Sequence, residues 1–276
     1  MVITVGVLAL QGGFSEHLSS LRKAAARRRA ELDFSFVEVR TPEQLSDCDA
    51  LVIPGGESTT LSLVAAQSGL LQPLREFVKV SKKPTWGTCA GLIFLSEAAS
   101  STKRGGQELI GGLDVRVHRN HFGRQRESFV TDLELPFLTS APSTNAPFPA
   151  VFIRAPVVDA LLTTDDSVIH QDEHVVEDGL KPPAPASGEQ ATRQNRSKIE
   201  VLATLPGRHA SHKAALVGDD EQQQQPVSPK GDGDIVALRQ GNVFGTSFHP
   251  ELTDDTRIHE WWLHQVVLES SCRQQQ

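Results

Sequence analysis

A cysteine between two glycines is the first feature of this sequence that could do chemistry. Cys89 is the centre of the run Gly87-Thr88-Cys89-Ala90-Gly91, which follows a short apolar segment. A strand, a sharp turn and a helix start in this order are typical of a nucleophile elbow, with cysteine in the serine position. The glycines permit a strained turn and a close approach of the following helix. The turn would set the sulfur at a helix N-terminus, where the thiolate that attacks carbonyls is favoured.

A base for this cysteine stands near the other end of the chain. His249 and Glu251 lie two apart at the end of a predicted strand, so we expect both side chains on the same side of the pleat. A histidine can take the thiol proton and return it to the leaving group, while a carboxylate holds its tautomer. An oxyanion also needs N–H donors, and the candidates are Ala90 and the Gly55–Gly56 loop. These residues together predict a cysteine acyl-transfer site.

The predicted elements can carry these residues to one place. Apolar, β-rich runs alternate with helical ones, which predicts an α/β fold with a mostly parallel twisted sheet flanked by helices. Glycine-rich turns at Gln11–Gly13 and Pro54–Thr60 end two of the strands. Strands are expected at residues 2–10, 34–40, 50–53, 151–156 and 198–205, a hairpin at 235–248 turning at Gly241, and helices at 14–29 and after Thr253.

Composition limits the function classes. The net charge of −7 and the absence of tyrosine argue against a nucleic-acid partner. Cys48, Cys89 and Cys272 are an odd number without paired spacing, so neither a disulfide framework nor a zinc knuckle is expected. A reducing compartment fits this usage. The apolar start of the chain is too short to span a bilayer and lacks a basic flank, which favours a soluble, cytoplasmic protein with no membrane partner.

Two segments differ from the rest in composition. Residues 178–197 and 218–233 are rich in small and polar residues, and the second contains Gln222–Gln225. Both lack the apolar residues that would offset ordering entropy, so we interpret them as mobile low-complexity insertions. Because a strand is predicted between them, they interrupt a single domain of residues 1–276 rather than separate two.

These motifs resemble those of the class I, triad-type glutamine amidotransferases, and among them the glutaminase subunits of pyridoxal 5′-phosphate synthase. The Gly-x-Cys-x-Gly and His-Pro-Glu motifs are general to that class, whereas Gly-Gly-Glu-Ser-Thr-Thr, Phe-Gly-Arg-Gln and Phe-Ile-Arg-Ala-Pro are typical of the subfamily. The matching segments follow each other along the chain at Gly6–Gly12, Pro54–Thr60, Gly87–Leu92, Arg119–Asn120, Phe122–Gln125, Val151–Pro156 and Thr246–Thr253.

The resemblance implies a flavodoxin-like amidotransferase fold and a role for each matched residue. Cys89 would be the nucleophile, His249 the acid/base and Glu251 its orienting partner, with the backbone of Gly56 and Ala90 as oxyanion hole. The implied contacts to the substrate, L-glutamine, are Gly56, Glu57, Ser58, Arg119, Ile153 and Arg154. Arginine suits the carboxylate of a free amino acid. The implied protein partner is the synthase subunit, in a hetero-oligomer that receives the ammonia; no cofactor and no metal are expected.

Other interpretations stay open at this stage. A cysteine peptidase or other hydrolase of the same fold would share the elbow but would not need Arg119 and Arg154. A regulatory subunit could have kept the fold without activity. The cluster His170–His174 lacks a third zinc ligand at a recognisable spacing. Relative to the compact pattern of the family, residues 141–149 are interpreted as a further insertion.

Overall fold

The computed structural model describes residues 2–27, 33–100, 107–119, 121–122, 128–138, 146–162, 197–206 and 233–273. The strands in these ranges are β1 Val2–Leu8, β2 Asp33–Val39, β3 Ala50–Ile53, β4 Thr85–Thr88, β5 Ser96–Ala99, β6 Leu113–His118, β7 Phe129–Leu133, β8 Phe148–Phe152, β9 Val157–Leu161, β10 Ile199–Leu205, β11 Asp234–Gln240 and β12 Val243–Thr246. The helices are α1 Phe14–Arg27, α2 Pro42–Ser46, α3 Ser58–Gln67, α4 Leu71–Arg75, which continues into π-helical turns at Glu76–Val80, α5 Ala90–Leu95 and α6 Arg257–Arg273.

One large mixed sheet organises the described residues. Its strand order is β2-β1-β3-β4-β12-β11-β9-β6-β5, with β10 also paired to β11, while β7 and β8 form a separate two-stranded sheet. The strands from β2 to β12 in this order run parallel to their neighbours. The strands β12, β11, β9 and β6 pair in antiparallel fashion. The α/β architecture expected from the sequence is confirmed, and the antiparallel strands make the sheet mixed.

Apolar layers cover both faces of the parallel strands. In β3, Ala50 and Val52 belong to the layer that contains apolar residues of α1 and α6, such as Leu21 and Trp262. Leu51 and Ile53 belong to the opposite layer, with apolar residues of α3, α4 and α5. This alternation follows from the period of two along a strand. Since both faces are covered, the strands carry the nearly continuous apolar runs seen in the sequence.

The parallel half brings the chemical residues to one edge. β1, β3, β4 and β12 lie side by side and parallel, so their carboxyl ends meet at the same edge of the sheet. The register aligns Gly87 of β4 with Ile53 on one side and Gly245 on the other. The turn after β1, the glycine loop after β3, Cys89 after β4 and His249 after β12 are therefore neighbours. This is the carboxyl edge at which open α/β sheets place their ligands.

Several predicted boundaries change in the structure. The strand expected at residues 151–156 is β8, Phe148–Phe152, so the interpretation of residues 141–149 as a loop insertion is wrong for Phe148 and Pro149. The helix predicted at 14–29 is described as far as Arg27. The hairpin turning at Gly241 is confirmed. Residues 178–196 and 218–232 and the cluster 170–174 lie outside the described residues. None of the helices in the described ranges is long and apolar enough to cross a membrane.

Candidate active site

The Cys89 turn has the strained backbone of a nucleophile elbow. Cys89 has φ +48° and ψ −102°, a conformation that residues with a side chain rarely adopt. Its N–H donates to the carbonyl of Thr246 in β12 at 2.8 Å, which ties the turn to the sheet. A Cβ at Gly91 would lie 2.0 Å from the Ile53 carbonyl oxygen, and one at Gly87 would lie 2.5 Å from the Gly91 backbone. Both flanking glycines are therefore required by the close approach of α5.

His249 and Glu251 are aligned as a base and its orienting carboxylate. His249 Nδ1 lies 2.8 Å from Glu251 Oε1, and both residues are buried. The N–H of His249 donates to the Val151 carbonyl at 2.8 Å. The reason expected from the sequence is wrong, because β12 ends at Thr246 and Glu251 lies in the 3-10 turn Pro250–Leu252. The turn, and not a strand pleat, brings the carboxylate to the imidazole.

The electrostatics of this pair favour a protonated imidazole. Burial alone would lower the pKa of His249, but the Cys89 sulfur and the Glu251 carboxylate outweigh it and raise that pKa to about 10. Burial alone would raise the pKa of Glu251, but its contacts with His17 and His249 lower it well below the usual range. An imidazolium beside Cys89 stabilises the thiolate form of the sulfur. The arrangement therefore contains an activated nucleophile of the kind that the sequence motifs predict.

The glycine loop after β3 lies directly against the pair. A Cβ at Gly55 would lie 2.3 Å from His249 Cε1 and 3.2 Å from Cys89 Cβ. A Cβ at Gly12 would lie 1.7 Å from the Gly55 carbonyl oxygen, so the turn after β1 touches the loop as the sequence analysis expects. Gly56 has φ +149° and lies next to the Gln11 side chain. Ala90 begins α5, so its N–H has no acceptor within the helix.

The predicted glutamine contacts are divided between two borders of this site. Glu57 caps α3, accepting from the N–H groups of Thr59 at 3.0 Å and Thr60 at 2.6 Å. Burial alone would raise the pKa of Glu57, but these bonds lower it to about 2. Arg119 Nη2 donates to Thr59 Oγ1 at 3.2 Å and lies 3.9 Å from Glu57 Oε1. The buried Ser58 donates its hydroxyl hydrogen to Gln107 Oε1 at 3.0 Å.

The other border is the turn between β8 and β9. The Cys89 sulfur lies 4.0 Å from the Ile153 carbonyl oxygen. Arg154 follows with φ +47°, a second strained position, and its side chain is exposed. Phe122, which belongs to a run interpreted as too charged for the core, is in fact buried against Phe129 and Phe152. Residues 123–125 of the same run lie outside the described residues.

Comparison with known proteins identifies the family. The model of the SNO glutamine amidotransferase family matches residues 7–180 and 210–268. The chain belongs to this family. It is 41% identical over 263 residues to a probable pyridoxal 5′-phosphate synthase subunit of Arabidopsis thaliana, covering 95% of this chain and 85% of that protein. It is 38% identical over 264 residues to a pyridoxal 5′-phosphate synthase subunit of Saccharomyces cerevisiae, covering 95% and 92%.

A solved structure gives the same answer for the fold. A crystal structure of a glutamine amidotransferase superposes with a TM-score of 0.61 at 33% identity and covers 95% of this chain and 98% of its own. Membership of the SNO glutamine amidotransferase family therefore agrees with the α/β fold and with the elbow geometry. The motifs quoted from the sequence are those of this family, and the resemblance stated from them is confirmed.

One buried histidine at this site was missed by the sequence analysis. His17 of α1 is fully buried, and its Nε2 lies 3.3 Å from Glu251 Oε2 and 3.2 Å from Thr88 Oγ1. The signal that could have found it is its spacing, since His17 lies on the same helical face as the buried residues Leu21 and Ala24. A histidine on an otherwise apolar helix stripe needs a buried partner. The sequence does not say which one.

Proposed function

We propose that this chain is a glutaminase that hydrolyses L-glutamine to glutamate and ammonia. The observation that carries the proposal is the alignment of three groups at the carboxyl edge of the sheet. These are the strained Cys89 turn, the His249 ring and the Glu251 carboxylate, which lies 2.8 Å from that ring. Membership of a glutamine amidotransferase family supports the same activity.

The reaction follows from the placement of these groups. The Cys89 thiolate attacks the side-chain amide carbon of glutamine, and a tetrahedral oxyanion forms. The backbone N–H groups of Ala90 and Gly56 are the proposed donors to this oxyanion, which places negative charge where fixed dipoles can stabilise it. His249 gives its proton to the departing nitrogen, the carbon–nitrogen bond breaks, and ammonia leaves a thioester behind. His249 then takes a proton from water, whose oxygen attacks the thioester and releases glutamate and the thiolate.

The rim of the site suits a free amino acid. Arg119 and Arg154 offer guanidinium groups for the α-carboxylate, and the carbonyl of Ile153 and the Glu57 carboxylate are acceptors for the α-ammonium group. Glu57 already accepts from two N–H groups of α3, so its contact with substrate would use a carboxylate fixed in place. A cysteine peptidase of the same fold would have no use for two arginines at this rim. The glutaminase is therefore favoured over that alternative.

The ammonia has a destination in this proposal. Proteins 34–41% identical to this chain over most of its length are named as subunits of pyridoxal 5′-phosphate synthase. The chain accordingly works with a synthase subunit in a hetero-oligomer, which receives the ammonia for vitamin B6 biosynthesis. We also place the protein in the cytoplasm, because an odd number of cysteines without paired spacing is typical of a reducing compartment. Imaging of the tagged protein in another compartment would contradict that location.

The test is glutamate release by the chain together with its synthase subunit. Cys89→Ala is expected to lower kcat by at least about 10³-fold, and His249→Asn by a similar factor, because both remove a reacting group. Glu251→Gln is expected to cost less, since it misorients the base without removing it. Cys48→Ala is the matched control, because Cys48 is also a buried free thiol but lies in the apolar layer away from the site. Substantial turnover by Cys89→Ala would refute the assignment of the nucleophile.

A further inference from the structure

The second oxygen of the Glu251 carboxylate faces a buried histidine. Oε1 of Glu251 is used by His249, whereas Oε2 has no aligned hydrogen bond within the described residues. The one cationic or N–H group that contacts Oε2 there is Nε2 of His17, at 3.3 Å. Both side chains are at most 1% exposed. A buried carboxylate oxygen without a donor is costly, so this contact matters to the energy of the site.

The ring of His17 is held from three sides. Its Nε2 lies 3.2 Å from Thr88 Oγ1, on the residue just before the nucleophile. Its Nδ1 lies 3.2 Å from His259 Nε2, and its edge meets the Trp86 ring at a centroid distance of 5.5 Å. The N–H of His17 donates to the Gly13 carbonyl at 3.1 Å. The ring therefore has little freedom to leave the carboxylate.

The hydrogen positions follow from the partners. A carboxylate only accepts, so the His17 nitrogen that faces Glu251 carries a hydrogen. Burial lowers the pKa of His259 well below its usual range, so that ring is neutral. Nδ1 of His259 is buried without a hydrogen-bond partner among the described residues, and an orphaned acceptor is tolerated better than an orphaned N–H. The hydrogen of His259 is therefore on Nε2, which donates to Nδ1 of His17.

We propose that His17 is a positioning residue for the glutaminase reaction, holding the second oxygen of Glu251 through its Nε2–H. A carboxylate held at one oxygen only can rotate about its last bond, and the His249 ring then turns with it. Held at both oxygens, the carboxylate fixes the plane of the ring against Cys89. The long, unaligned contact of 3.3 Å fits a bond that tightens when the reaction begins. The inference rests on the proposed function.

Methionine and glutamine provide a matched pair of replacements. Both have the same chain length, but only glutamine offers an N–H where His17 presents its Nε2–H. With the synthase subunit present, His17→Met is expected to lower kcat for glutamine between about 10-fold and 100-fold, as a misplaced catalytic group does. KM should change by less than about 2-fold, because His17 does not touch the substrate site. His17→Gln should recover most of the lost kcat.

A double-mutant cycle with Glu251→Gln tests whether His17 acts through that carboxylate. In the Glu251→Gln background, His17→Met should lower kcat by less than about 2-fold further, because the group that it positions is already gone. Multiplication of the two losses would overturn the proposal, as would an unchanged kcat in a folded His17→Met protein. If the single variant does not fold, His17→Met and His17→Gln are compared in the Glu251→Gln background, where unequal kcat values overturn it. A wild-type complex without glutamate release would instead refute the proposed function.

Discussion

The imidazole of His249 shows how one residue records its surroundings. Its pKa is raised to about 10 although burial alone would lower it, because the Cys89 sulfur and the Glu251 carboxylate favour the charged ring. An unfolded histidine titrates near pH 6.5. A raised pKa in the folded state stabilises the fold fully below about pH 6.5, and this contribution is lost as the pH rises through about 10.

The pH dependence of stability is therefore a residue-scale prediction. Between pH 6.5 and pH 10, the free energy of unfolding of the wild-type protein should fall more than that of His249→Asn. Urea unfolding at several pH values in this window measures both. Cys48, whose pKa is raised to about 11 by burial, titrates in both proteins and cancels from the comparison. Parallel curves for the two proteins would show that His249 is not held in its charged form.

At the scale of elements, two glycine turns share one small volume with the nucleophile. The turn after β1 touches the loop after β3, and the loop touches His249 and Cys89. These turns follow neighbouring parallel strands, so their contact is a consequence of strand order. Space at this edge is limited by backbone atoms, which cannot move aside as a flexible side chain does.

Gly55→Ala tests this crowding. The new Cβ would lie 2.3 Å from His249 Cε1, so the ring must move away from Cys89. We expect a loss of kcat of about 10²-fold or more, the effect of displacing a catalytic group by about 1 Å. Steady-state glutamate release measures it, with thermal unfolding to show that the fold survives. The control is Gly69→Ala, since nothing lies within 4 Å of a Cβ there, although the positive φ at Gly69 costs some stability. Equal losses of kcat in both variants would contradict the argument.

At the scale of the whole molecule, the site depends on a second protein. Gly12 and Gly55 allow a peptide of these turns to rotate at little steric cost, so one oxyanion donor can point away until the synthase subunit fixes it. We predict that the isolated chain hydrolyses glutamine about 10²- to 10³-fold more slowly than the complex, the effect of one missing oxyanion donor. Glutamate release at saturating glutamine, with and without excess synthase subunit, measures the ratio. Equal rates would mean that the oxyanion hole is already formed in the isolated chain.

The organisation of the whole chain remains partly a prediction. A single domain over residues 1–276, with mobile insertions at 178–197 and 218–233, follows from composition alone. Most of both insertions lies outside the described residues. The strand expected between them is present as β10, Ile199–Leu205, and it pairs with β11 in the main sheet. That pairing supports insertions within one domain.

The sequence by itself determined the local features of this protein. Apolar runs and glycine turns have short periods, so local patterns are enough to locate β1, β3, the hairpin and the Cys89 elbow. The residue types of Cys89, His249 and Glu251 indicated the chemistry, since few other sets perform acyl transfer with a thiol.

Only the tertiary structure decided how distant segments meet. The contact of His17 with Glu251, the burial of Phe122 and the antiparallel pairing of β9 with β6 and β11 depend on strand order and on the path of the chain. Local patterns show that a side chain is buried, but they do not name its partner. The partner is set by packing between elements far apart in sequence, where hydrophobic burial is non-directional and many pairings satisfy the same pattern.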